Sequence, residues 1–115
     1  SYNYSAAHDS PENKRFVAEF QKANPGMRPN VIGLSGYDGV HAIYLALEKN
    51  KGNVEGPKLI EAFKGLSWTS PRGPVSIDPE TRDVVQNIYI RKVEKKDGEL
   101  WHTEFATYEN QKNPK

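Results

Sequence analysis

The chain has 115 residues, with 16 basic and 15 acidic side chains and a formal charge of +1. That suits one domain with a real core, and it argues against a nucleic-acid or anionic-membrane surface as the chain's main business. The absence of cysteine rules out disulfides and thiolate metal sites, and no apolar run approaches the roughly 20 residues that span a bilayer.

Tyr2 to Ala7 alternates aromatic and small residues, as the end of a strand or an extended entry would. A helix is predicted over residues 11–23. Asp9 or Ser10 can cap it, Pro11 suits the first helical position, and Glu12 complements the helix dipole. Phe16, Val17 and Phe20 form its apolar stripe, and Asn24, Pro25 and Gly26 end it.

A second helix is expected over residues 29–50, before Gly52. Ile32, Val40, Ile43, Tyr44 and Leu47 fall within one arc at 100° per residue and are assigned as its core face. Leu34, Asp38, His41, Leu45 and Glu48 share the opposite side, a mixed face that another layer would partly cover. Gly33, Gly36 and Gly39 each cost about 1 kcal/mol of helix propensity relative to alanine, and they would admit another backbone or a ligand at close range.

Gly56 and Pro57 open a third helix over residues 57–64, with Leu59, Ile60 and Phe63 as its buried set and Gly65 as its stop. Residues 66–68 read as a short extended segment. The stretch RGPVSIDPETRDVVQNIYIRKV, residues 72–93, then reads as strand, turn, strand. Asp97 and Gly98 signal a hairpin to a partner strand over residues 100–108. Two-residue alternation places Trp101 and Phe105, with Tyr89 and Val93, on one face, leaving His102 and Glu104 on the other. The polar tail from Glu109 is expected to fray.

Residue chemistry alone discloses no catalytic constellation. The glycines of GLSGYDG, residues 33–39, miss the spacing of both dinucleotide and P-loop fingerprints. His8, His41 and His102 lie on separate elements without metal-ligand spacing. Asp38 and His41 are three apart, the geometry of an acid–base pair but equally of ordinary helix-surface partners. Trp68 can wall a ligand cleft or pack in a core. Arg72 can pair with a substrate carboxylate or with an acidic side chain of the chain itself.

In their order along the chain, FVAEFQKANP at 16–25, GYDGVHAIYLAL at 36–47 and the stretch at 72–93 resemble the C-terminal part of type I solute-binding proteins. These form the branched-chain amino acid-binding family of ABC importers. The resemblance runs from about Tyr4 to about Ala106. It implies an α/β fold, part of a two-lobed binding protein, with three helices followed by an antiparallel hairpin. The last crossing between lobes would fall near residues 82–87. Residues 1–83 would then be the helical part of the first lobe, and residues 84–115 the crossing strand and hairpin of the second.

The resemblance further implies capture of an amino acid or related small organic solute, delivery to a membrane permease, and no catalysis, metal or cofactor. It implies a periplasmic or extracytoplasmic location, with any secretory leader upstream or removed. Tyr37 and Asp38 would lie near the cleft end of the second helix, with Trp68 a further ligand-binding candidate. The plainer reading places Tyr37 in the core and makes Asp38 a helix-start residue. Two alternatives remain, a module that self-associates or binds a partner through its strands, and an enzyme acting through Asp38 and His41. Read as a portion of a longer protein, the chain by itself is expected to self-associate, exposing Leu34 and Leu45 on the second face of its long helix.

Overall fold

Local capping chemistry sets the element boundaries in the computed structural model, which describes residues 3–114. Tyr2 lies outside those residues. Helix α1 (Pro11–Ala23) begins where the Ser10 hydroxyl accepts from the Asn13 amide at 3.1 Å. Helix α2 (Val31–Lys49) begins where the Asn30 side chain accepts from the amides of Ile32 and Gly33 at 3.1 and 3.0 Å. Helix α3 (Gly56–Phe63) stops just before Gly65, which adopts φ 73°. The three predicted helices are therefore present, each with ends within two residues of expectation.

Four strands follow: β1 (Ser67–Ser70), β2 (Gly73–Ile77), β3 (Val84–Lys96) and β4 (Glu99–Gln111). They form one antiparallel sheet in the order β1-β2-β3-β4. Asp97 and Gly98 connect β3 to β4 with φ of 51° and 81°. Positive φ at both central residues matches the right-handed twist of the flanking strands, hence the Asp-Gly preference.

The core is built from two clusters that share α2. Tyr4, Phe16 and Leu34 form one, with Phe20 and Val31 against it. Ala46, Ala62 and Leu66 form the other, joined by Leu45, Leu59, Phe63, Trp68 and Ile77. Buried Asn13 ties the first cluster to the entry segment. It accepts from the Tyr4 hydroxyl at 2.7 Å and donates to the carbonyls of Ala6 and His8 at 3.0 and 2.8 Å. Segment 4–8 is thus a packed, hydrogen-bonded coil where a strand end was a possibility.

The face of α2 assigned to the core is the outward one. Ile32, Val40, Ile43 and Tyr44 are 46–77% exposed, whereas Leu34, Asp38, Ala42 and Ala46 are buried. The four-residue spacing of the buried set ends in two alanines, which let α3 and β1 approach closely. The large side chains of the other arc face away. Leu34, expected to be exposed in the isolated chain, is 1% exposed, and Ile60 of α3 also points outward.

Two further corrections concern the ribbon β3–β4. A register shift between Ile90 and Arg91 leaves Phe105 without a partner, since Ile90 pairs with Ala106 and Arg91 with Glu104. The extra residue on β4 brings Glu104 to the inward face opposite Arg91 and turns Phe105 out. Val93 keeps the alternation of β3 with buried Tyr89 and is exposed because it lies near the ribbon tip. Nor does the tail fray at Glu109. Strand β4 continues to Gln111, and the Lys112 ammonium reaches Asp78 at 2.8 Å.

That contact locks the β2–β3 turn. Asp78 also accepts from the amides of Glu80 and Thr81 at 2.8 and 3.1 Å. The Lys112 hydrogen bond first, then these amides, lower its pKa to about 2. A folded value below the unfolded one stabilises the chain above the ordinary carboxylate pKa of about 3.9, and that stability is lost as pH falls toward 2. Thermal melts between about pH 2 and 6 should therefore show wild type losing more melting temperature on acidification than Asp78→Asn. Parallel losses in the two proteins would refute this.

Candidate functional site

Three residues singled out in the sequence converge through β1 and β2. The Asp38 carboxylate, buried on α2, accepts from the Ser70 hydroxyl at 2.7 Å and, at a longer 3.5 Å, from the Trp68 indole N–H. Arg72 Nε lies 3.2 Å from Asp38 Oδ2. The angle there is too poor for a hydrogen bond, so the contact is an ion pair. Burial lowers the Arg72 pKa, and the Asp38 charge opposes that shift. Ser70 completes the knot by accepting from the Arg72 amide at 3.2 Å.

This arrangement spends the Asp38 carboxylate on internal partners. Tyr37, the neighbouring residue, is 45% exposed, with its ring 4.8 Å from Phe16 and 6.1 Å from His41. The structure therefore brings Asp38, Trp68 and Arg72 together and leaves Tyr37 on an adjoining surface. His41 packs its ring 6.2 Å from Trp68. Among the described residues, no group of three or more His, Asp or Glu side chains is placed to hold a metal ion.

A second place was not legible in the sequence. A cavity of about 590 Å³ opens where the start of α2 meets segment 4–6 and the tip of the ribbon. Tyr4, Val31, Leu100 and Trp101 supply apolar wall, and Arg28 and Arg91 supply charge. This volume is in the range of small-molecule pockets. Its lining comes from sequence positions near 4, 30, 91 and 101, so no single motif could announce it.

The two arginines differ in how they are used. The guanidinium of Arg91, 3% exposed, donates to Glu104 Oε1 from Nε at 3.3 Å and Nη2 at 2.9 Å. Glu104 also meets His8 Nδ1 at 2.8 Å. Burial would raise the Glu104 pKa, but the hydrogen bonds and charges of His8 and Arg91 outweigh it and leave the value lowered. Arg28 is exposed. It stacks its guanidinium 4.1 Å over the Trp101 ring and donates from Nη1 to the Leu100 carbonyl at 3.0 Å.

The same surroundings fasten the ribbon to the helical part. The Ser5 hydroxyl donates to the His102 carbonyl at 2.8 Å, and the Asn3 amide donates to the Gln86 side chain at 3.2 Å. Of these contacts and those of His8 with Glu104 and Arg28 with Leu100, the Ser5–His102 and Arg28–Leu100 bonds join residues that line the cavity.

Comparison with known proteins is consistent along the chain. The family profile described as periplasmic binding protein matches residues 1–99. The chain is 46% identical over 117 aligned positions to the Leu/Ile/Val-binding protein homolog 6 of Brucella abortus (strain 2308), covering 99% of this chain and 30% of that one. It thus spans about 30% of the length of the curated relatives it matches. A solute-binding protein of an ABC transporter from Rhodopseudomonas palustris BisB5, solved in complex with 3,4-dihydroxybenzoic acid, superposes with a TM-score of 0.94. Identity there is 57%, over 97% of this chain and 31% of that one. A second, from Rhodopseudomonas palustris HaA2 in complex with p-hydroxybenzoic acid, gives a TM-score of 0.86 at 46% identity, covering 96% of this chain and 30% of that one.

Proposed function

The chain belongs to the periplasmic binding protein family, and from that premise we propose that it is part of an extracytoplasmic solute-binding component of an ABC importer. Such a component works by closing two lobes on a small organic solute and presenting it to a permease, without chemistry. Residues 1–83 belong to the first lobe in this reading, and residues 84–115 to the second. The observation that carries it is the cavity between the start of α2 and the ribbon tip, at the junction of the two proposed parts. The solutes named for the two Rhodopseudomonas proteins and for the Brucella homolog make a small carboxylate the common denominator.

Tyr37, Asp38 and Trp68 keep a part in this proposal. Tyr37 does not line the cavity, so its exposed ring would meet the solute only as the lobes close, while Asp38 acts indirectly by fixing Trp68 and Arg72. The test is calorimetry on the full-length protein with 4-hydroxybenzoate, 3,4-dihydroxybenzoate and the branched-chain amino acids, paired with small-angle scattering. Binding of at least one solute with contraction on binding is expected, and Tyr37→Ala should weaken it more than Lys49→Ala. A protein that binds none of them would overturn the reading.

Residues 1–115 expressed alone should bind no solute tightly and should self-associate. Half a cleft leaves much of a ligand wet. The outward arc of α2, with Ile32, Val40, Ile43 and Tyr44 exposed and no charged residue among them, is an apolar patch that favours a partner. Light scattering over a dilution series should show association, and a strict monomer with micromolar solute affinity would contradict both statements.

A further inference from the structure

We infer that Arg28 reads the carboxylate of the solute in the cavity at the ribbon tip, and that the solute is an aromatic monocarboxylate and not an amino acid. This rests on the solute-binding reading above and assigns it a residue and a ligand class. Among the described residues none that lines the cavity is Asp or Glu, whereas Arg28, Arg91 and His102 all line it. This wall offers no anion to an amino acid's ammonium, which would have to find its partner on the facing lobe, because burying that charge unpaired is costly. A monocarboxylate brings only the sign the wall can match.

Between the arginines, the chemistry selects Arg28. Arg91 is neutralised by Glu104, which His8 also engages. Among the described residues, no carboxylate lies within ion-pair distance of Arg28. Its partners are a carbonyl and an indole face, both neutral. A guanidinium carries five N–H donors in a rigid fork, and the Leu100 carbonyl takes one donor group, so the fork keeps an edge for two parallel bonds to a carboxylate. Trp101 beneath the plane restricts how the fork can turn, which lowers the ordering cost of binding. The apolar wall from Tyr4, Val31 and Leu100 suits a ring.

Arg28 could instead serve only as a clasp that holds the ribbon tip to the loop before α2, and the experiment must tell the roles apart. The full-length protein and its Arg28→Gln and Arg28→Lys variants are titrated with 4-hydroxybenzoate, with its uncharged amide, 4-hydroxybenzamide, and with leucine. Loss of a charge-assisted pair predicts a fall in 4-hydroxybenzoate affinity of about 10- to 100-fold for Arg28→Gln, with amide affinity nearly unchanged and partial recovery in Arg28→Lys. Equal weakening of acid and amide would reduce Arg28 to a clasp and overturn the inference, as would an unchanged acid affinity. Wild type that binds leucine but not the acid would overturn the inference and leave the solute-binding reading intact. Failure to bind any of the three would count against both.

Discussion

Replacing Asp38 with alanine is expected to cost about 3–5 kcal/mol of unfolding free energy, the loss seen when one partner of a buried ion pair is removed. The side chains of Asp38 and Arg72 are 5% and 12% exposed, so Arg72 would stay desolvated with its buried countercharge gone. Ser70, fully buried, would lose the acceptor of its hydroxyl proton at the same time. Asp38→Asn should cost less, because an amide oxygen can still accept from Ser70. As a control, Glu61→Ala breaks an exposed pair with Lys64 and should cost no more than about 1 kcal/mol. Urea unfolding at an unchanged slope gives all three values. A loss below about 1 kcal/mol for Asp38→Ala would mean that Arg72 escapes to solvent and that the knot is not structural.

Gly73→Ala should be comparably severe, at about 2–5 kcal/mol, through a different mechanism. Gly73 has φ 106°, where a side chain is strained whatever the space around it. A Cβ there would lie 2.2 Å from the Tyr89 hydroxyl, which donates to the Arg72 carbonyl at 2.8 Å. Tyr89 cannot retreat without giving up that bond and its burial. It also anchors the entry to β3, where the proposed lobes meet, so the substitution should loosen the crossing as well as the turn. Tyr89→Phe removes the clashing oxygen, and the double variant should lose less stability than the sum of the two single variants. Simple additivity would show that backbone strain at Gly73, and not the contact with Tyr89, carries the cost.

Features set by neighbours in the chain were readable from residues alone. Ser10 with Pro11 starts α1, Gly65 follows α3, and Asp97-Gly98 turns the ribbon, because caps and tight turns are decided within a few residues. Trp68 and Arg72 could be named as candidates, but not their meeting on Asp38, some thirty residues away in sequence. Pairing at that separation depends on how β1 and β2 lie against α2, which no local pattern encodes. The same holds for the cavity, where Arg28 meets Trp101 through the packing of a loop against a strand end. Helical periodicity found Leu34 and Asp38 on a second face of α2 but ranked that face below the other. It missed Ala42 and Ala46, which complete the buried side, while Glu48 is exposed. The arc with the larger side chains looked more like a core, yet at Ala46 the small side chain lets α3 pack closely, with Trp68 and Ile77 of the sheet against the same cluster. At Phe105 a single unpaired residue reversed the alternation that a strand pattern assumes, and only the register with β3 reveals it. Which side of an element is buried is a property of what packs against it, and that was decided by the tertiary structure.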